Sequence, residues 1–72
     1  MIPAMQLTIE VELEDDGRWL AEVPELPGTM AYGATRDRAL ANVEALALRV
    51  LAERIENGEF IPQSPILFSV AA

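Results

Sequence analysis

The chain has no cysteine, no histidine and no lysine. Without cysteine there is neither a disulfide framework nor a thiolate zinc site to staple a short fold. The three absences together leave a nucleophile only among the hydroxyls of Thr8, Thr29, Thr35, Ser64, Ser69 and Tyr32, with a carboxylate as base, and no such pair is marked by spacing. Glycine is sparse as well. Gly17, Gly28, Gly33 and Gly58 stand apart from one another, as turn and cap residues do, and form no phosphate-cradling loop. No apolar run approaches the roughly 20 residues that span a bilayer. Met1-Ile2-Pro3-Ala4-Met5 carries no basic region and leaves no room for the apolar core of a secretion signal. These absences predict a cytoplasmic protein that is not an enzyme and uses no cofactor, metal or membrane.

What is present is acidic. Twelve Asp and Glu oppose five Arg, for a net charge of −7. Nucleic acids reward clustered Lys and Arg, and here only Arg36 and Arg38 lie close together, so direct nucleic-acid binding is not expected. A basic protein partner is. An acidic field steers and orients such a partner, while area and anchoring side chains set the affinity. With 72 residues the chain reads as one domain over 1–72 with a thin core. Self-association is a common remedy in small scaffolds, which predicts a homodimer or homotetramer.

Strict alternation from Gln6 to Glu14 places Leu7, Ile9, Val11 and Leu13 on one face of a strand and Thr8, Glu10, Glu12 and Glu14 on the other. A second run, Arg18 to Val23, follows the turn signal Asp15-Asp16-Gly17. Register decides the loop. A two-residue loop would mix faces, whereas a three-residue loop with left-handed Gly17 pairs Leu13 with Trp19, Val11 with Ala21, Ile9 with Val23 and Glu14 with Arg18. It also sets Glu10 against Glu22 and leaves Leu20 among polar neighbours. Trp19, opposite Leu13, reads as core and not as a recognition aromatic. Pro24, Pro27 and Gly28 then form a rigid bend, a third strand covers Thr29 to Tyr32, and Gly33 ends it.

Thr35 is a fitting N-cap for a helix over Arg36–Glu56, although Arg38 sits where a capping box would place Glu or Gln. Asn57-Gly58 is the stop. Leu40, Val43, Ala47, Val50, Leu51 and Arg54 lie along the stripe that would meet the sheet. Ala41, Ala45, Leu48, Ala52 and Ile55 widen the apolar surface beyond it. That flank is either a subunit interface or alanine-rich helix with little exposed bulk. After a proline-bounded connection, Ile66–Val70 reads as a fourth strand, parallel to the third and, by a right-handed crossover, beside the first. The expected class is α+β, βββαβ, with one helix on a four-stranded mixed sheet. Glu10, Glu12 and Glu14 with Asp15-Asp16 superficially offer oxygen ligands to a hard cation. Period-two acids are also what a solvated strand face looks like, and that is the reading adopted.

The order of a hairpin with Asp16-Gly17, Val23-Pro24-Glu25-Leu26-Pro27-Gly28, a short strand, Gly33, Thr35 with Ala39-Leu40, a long helix, Gly58 and Ile61-Pro62 resembles HicB-type antitoxins of toxin–antitoxin pairs. The resemblance runs through most of the chain. It implies a partial ribonuclease-H-like fold, self-association, and a role in covering the active surface of a small basic mRNA-cleaving toxin, HicA. Thr29 stands where the family often has cysteine, and Ala34, Arg36 and Arg38 stand where acidic residues are common. Many relatives continue into a DNA-binding domain. No such C-terminal domain is expected here.

The sequence therefore predicts an antitoxin-like binding module that neutralises a HicA-type ribonuclease by occlusion. Its contact residues are Glu10, Glu12, Leu20 and Glu22, acids around an exposed apolar anchor. Gly17, Pro24, Pro27, Gly28, Gly33, Gly58 and Pro62 shape the fold, and Ala41, Ala45, Leu48, Ala52 and Ile55 are the candidate oligomer interface. The alternative is an orphan oligomeric scaffold or small-ligand-binding protein of the same fold.

Overall fold

A computed structural model describes residues 5–59 and 66–71. Its elements are β1 (Met5–Leu13), β2 (Trp19–Glu22), β3 (Met30–Gly33), α1 (Arg36–Glu56) and β4 (Ile66–Val70). One sheet of order β3-β2-β1-β4 carries the helix on one face. This is the α+β, βββαβ arrangement that the alternation and capping signals predict. The helix and last strand fall at their expected bounds, and the first three strands differ by one residue at their ends. Pro62, with Ile61, lies outside the described residues.

The hairpin forms as the register argument requires. Leu13 pairs with Trp19, Glu12 with Leu20, Val11 with Ala21 and Glu10 with Glu22. The Gly17 amide donates to the Glu14 carbonyl (3.0 Å), the Glu14 amide donates to the Arg18 carbonyl (2.7 Å), and Gly17 has φ of 90°. That is a turn closed by a left-handed glycine, the form whose twist suits a three-residue loop. The expected pair of Ile9 with Val23 is not part of the ladder. The Val23 amide instead donates to the Thr29 carbonyl (3.0 Å), because two turns have begun.

Those turns refine the reading of the proline segment as a plain bend. The Leu26 amide donates to the Val23 carbonyl and the Thr29 amide to the Leu26 carbonyl, both at 3.0 Å. In the second turn Pro27 sets φ and Gly28, at φ 86°, takes the position that only glycine occupies cheaply. The consequence is a plug. Leu26 and Thr29 are 4% exposed, so an apolar side chain from the loop joins the core.

The helix is held at both ends. Thr35 Oγ1 accepts from the Arg38 amide at 3.1 Å, and the missing capping-box acid is no obstacle. At the other end the Gly58 amide donates to the Ile55 carbonyl (3.0 Å) and the Glu59 amide to that of Arg54 (2.9 Å), the double closure made possible by a left-handed glycine. The buried stripe is Ala39, Val43, Ala47 and Leu51, against Leu7, Ile9, Ala21, Val23 and Leu26 of the sheet and loop. Leu40, Val50 and Arg54, expected in that stripe, are only half buried, and Ala39 is fully buried in their place. Gly33 explains the difference. A Cβ on Gly33 would lie 2.8 Å from Ala39 Cα and from the Arg38 carbonyl carbon, and nearer still to the Ala39 amide. The first turn of α1 thus rests directly on the backbone of β3, which favours the smallest side chain at the contact. Trp19 packs at the margin of this core, half buried. No helix among the described residues is long and apolar enough to cross a membrane.

Gly33→Ala is the sharpest test of this packing. It should destabilise the fold by about 1–3 kcal/mol, as overpacking does, read as a lowered urea midpoint. An unchanged midpoint would show that helix and strand part freely at this contact.

Candidate functional site

The face of the sheet turned away from α1 is where the alternating acids emerge. Glu10 and Glu12 project from β1, and Leu20 and Glu22 from β2, with Glu10 directly across from Glu22 and Glu12 across from Leu20. The next strand continues both rows, since Met30 pairs with Glu22 and Tyr32 with Leu20. All four residues selected from the sequence line one open cavity of about 250 Å³, together with Val11 and Ala71. Ala71 arrives there because its amide donates to the Ile9 carbonyl (2.9 Å), extending the β4 side of the sheet.

Leu20 corrects one expectation. It is half buried, not exposed, because Tyr32 stands beside it. The apolar part of the face is broader than a single anchor. Met30 is 46% and Tyr32 43% exposed, so the acids of β1 and β2 border an apolar patch on β3.

Electrostatically the face is under tension. Like charges directly opposite across strands destabilise by roughly 0.2–1 kcal/mol, and Glu10 with Glu22 is such a pair. The nearby guanidinium is otherwise engaged. Arg18 Nε lies 2.7 Å from Asp16 Oδ2, its amide donates to Asp16 Oδ1 at 3.0 Å, and its guanidinium stacks 4.0 Å over the Tyr32 ring. The Arg18 amide, then its side chain, hold the Asp16 carboxyl below its usual value. Asp16 in turn raises Arg18. The turn that the sequence marked only as a hairpin signal thus orients an aromatic on the acidic face.

Glu25 was not selected from the sequence, and it plays a separate part. Both its carboxylate oxygens accept from the Thr8 amide at 3.1 Å. β2 stops pairing at Glu22, so a side chain of the loop completes the ladder that the backbone abandons. Hydrogen bonding from its own amide, and then from Thr8, holds the Glu25 carboxyl below its ordinary value. Asn42 acts likewise at the other edge, its Nδ2 donating to the Tyr32 carbonyl at 2.9 Å. Neither role has a local sequence signal, since each partner is distant along the chain. Buried Leu26 had one: an apolar residue between two prolines of a thin-cored domain.

Ala41, Ala45, Leu48, Ala52 and Ile55 are all exposed, with Leu48 at 50% and Ile55 at 38%. They lie on the helix side away from the sheet and form no part of the acidic face. Gly17, Pro24, Pro27, Gly28, Gly33 and Gly58 sit in turns, at the cap or under the helix. Among the described residues no three His, Cys, Asp or Glu side chains are placed to hold a metal ion.

Comparison with known proteins gives two relatives. The chain is 33% identical over 60 residues to UPF0150 protein Ta0767 of Thermoplasma acidophilum, covering 82% of this chain and 86% of that one. It is 34% identical over 59 residues to a UPF0150 protein of Archaeoglobus fulgidus, covering 79% and 86%. No family profile and no solved structure matches.

Two substitutions test the electrostatics. Glu22→Gln should stabilise the fold by roughly 0.2–1 kcal/mol at low salt, fading as salt screens the pair; a loss of stability would contradict the repulsion. For Glu25 the folded pKa is below the unfolded 4.5. Its contribution is therefore complete above 4.5 and is lost as pH falls through the lowered folded value. The stability difference between the wild type and Glu25→Gln should shrink across that acid range, and a difference that is constant with pH would remove the carboxylate from the ladder.

Proposed function

The chain belongs to the UPF0150 family, and we propose that it serves as an antitoxin-like binding module, covering the active surface of a small basic ribonuclease of the HicA type. The observation that carries this reading is the convergence of Glu10, Glu12 and Glu22 around Leu20 in one cavity of the open sheet face. Three acids and an aromatic-bordered apolar centre suit a cationic protein surface, because association relieves the Glu10–Glu22 repulsion while Leu20, Met30 and Tyr32 supply desolvated area. The net charge of −7 adds long-range steering. The likeness of Val23–Gly28 and its spacing to HicB-type antitoxins supports the same partner. On this reading the protein occludes and does not catalyse, and it acts in the cytoplasm. The basic corner of Arg36 and Arg38 lies at the helix start, so it does not compete with the acids.

The test is capture of a purified HicA-type toxin from the same host on the immobilised chain, with toxin RNA cleavage as the second readout. Capture should weaken with rising salt, and Glu10→Lys with Glu12→Lys should weaken it about tenfold or more, the equivalent of some 1.4 kcal/mol, and restore cleavage. Binding indifferent to salt and to both reversals would refute the acidic face as the contact. An absent toxin gene beside this one would favour the orphan scaffold instead.

A further inference from the structure

Each flank of β1 is covered over only part of its length. β4 pairs with Met5–Ile9 on one side, and β2 pairs with Glu10–Leu13 on the other. Where β2 stops, the Thr8 amide is met by the Glu25 carboxylate. Where β4 stops, nothing answers. The last bond on that flank runs from the Ala71 amide to the Ile9 carbonyl (2.9 Å), and among the described residues none pairs with Val11–Leu13 there.

Period two fixes which backbone groups are free. The Glu14 amide donates across the hairpin to the Arg18 carbonyl, so Glu12 and Glu10 also turn their backbone groups toward β2. Val11 and Leu13 turn theirs the opposite way, as Ile9 does, and each brings one donor and one acceptor to the open flank. Such a row is a template for an added strand. The side chains beside it divide by face. Val11 packs against the core on the helix side and Leu13, 57% exposed, stands beyond it. Glu10 and Glu12 stand on the other face, along the cavity that Ala71 borders.

We propose that this flank takes up an extended segment of the partner by strand addition, and that the segment alternates basic with apolar residues. The proposal rests on the acidic-face reading and gives the form in which the basic partner meets that face. A residue opposite Val11 or Leu13 shares their face and is apolar, while its neighbours fall beside Glu10 and Glu12 and are Lys or Arg, whichever way the segment runs. Main-chain bonds dock it, and alternate side chains give specificity. Three residues offer only about 10 Å of edge, so the cavity must contribute. Its volume of about 250 Å³, lined also by Leu20 and Glu22, accommodates one long basic side chain, with the stem over Leu20 and the charge among the acids. Charge also turns away a second copy. Pairing two such flanks would set the Glu10 and Glu12 rows of both copies against each other, and like charges across strands destabilise. Acids that guard an edge against its own kind admit a basic strand.

The probe is a capped peptide of about six residues alternating lysine with valine, titrated into the full chain and followed by amide hydrogen exchange. Exchange at the Val11 and Leu13 amides should slow at least about tenfold on binding. A peptide of the same composition with its lysines in one block, and the alternating peptide with an N-methylated backbone, should each bind at least about tenfold more weakly. Leu13→Pro, which removes a donor on a flank where proline is tolerated, should weaken binding with the circular dichroism unchanged. Peptide binding that is lost in Glu10→Lys yet leaves the Val11 and Leu13 amides unprotected would overturn strand addition and leave the acidic face standing. Protected amides with no toxin captured would sink the toxin reading and support the strand. A dimer dispersed by Leu13→Pro would give the flank to a second copy and overturn the proposal.

Discussion

The fold depends on how closely α1 lies against β3. Gly33 lets the backbone of the helix start rest on the backbone of the strand, and the fully buried Ala39 keeps the two together. From that contact the helix axis stays low over the sheet. The core beneath is built of small and medium side chains, with Ile9, Val23 and Val43 the largest that are completely enclosed. A chain of this size has little apolar volume to spend, and the loop side chain Leu26 fills space that a longer helix or second helix would take in a larger domain.

The molecule sorts its charge by strand. Acids occupy the solvent face of β1 and β2, where alternation put them, and the exposed edge of β4 is neutral. Where a ladder stops early on the acidic side, a side chain finishes it: Glu25 at the Thr8 amide. Arg18, stacked on Tyr32 and tied to Asp16, is spent on shaping the face and does not neutralise the Glu10–Glu22 pair. The face therefore keeps a weakly unfavourable repulsion across its two central strands.

Much of this architecture was legible because local signals agreed. Alternation, a glycine-terminated turn and face matching fixed the hairpin register, and Thr35 with Asn57-Gly58 bounded the helix. That Glu10, Glu12, Leu20 and Glu22 share one face was legible for the same reason, as register alone determines which side chains stand together. What escaped prediction was tertiary. The helix stripe rotated from Leu40 to Ala39 because the constraint sits on another element, at Gly33. Glu25 and Asn42 bind backbone groups 17 and 10 residues away, and the Leu20 environment depended on Tyr32 across a strand boundary.

The position of β4 has a kinetic meaning. It pairs with β1 across nearly the whole chain, Met5 meeting Ile66, whereas β1 pairs with β2 and β2 with β3, neighbours in the chain. Closing so long a loop is entropically expensive, and such contacts form late. The hairpin, the third strand and the helix that rests on it can assemble from contacts local in sequence. During that interval the edge of β1, with Leu7 and Ile9 on its inner face, waits for its neighbour. A nascent chain would thus pass through a three-stranded stage, and only the arrival of the last strand moves the open edge from the acid-bearing β1 to a neutral strand.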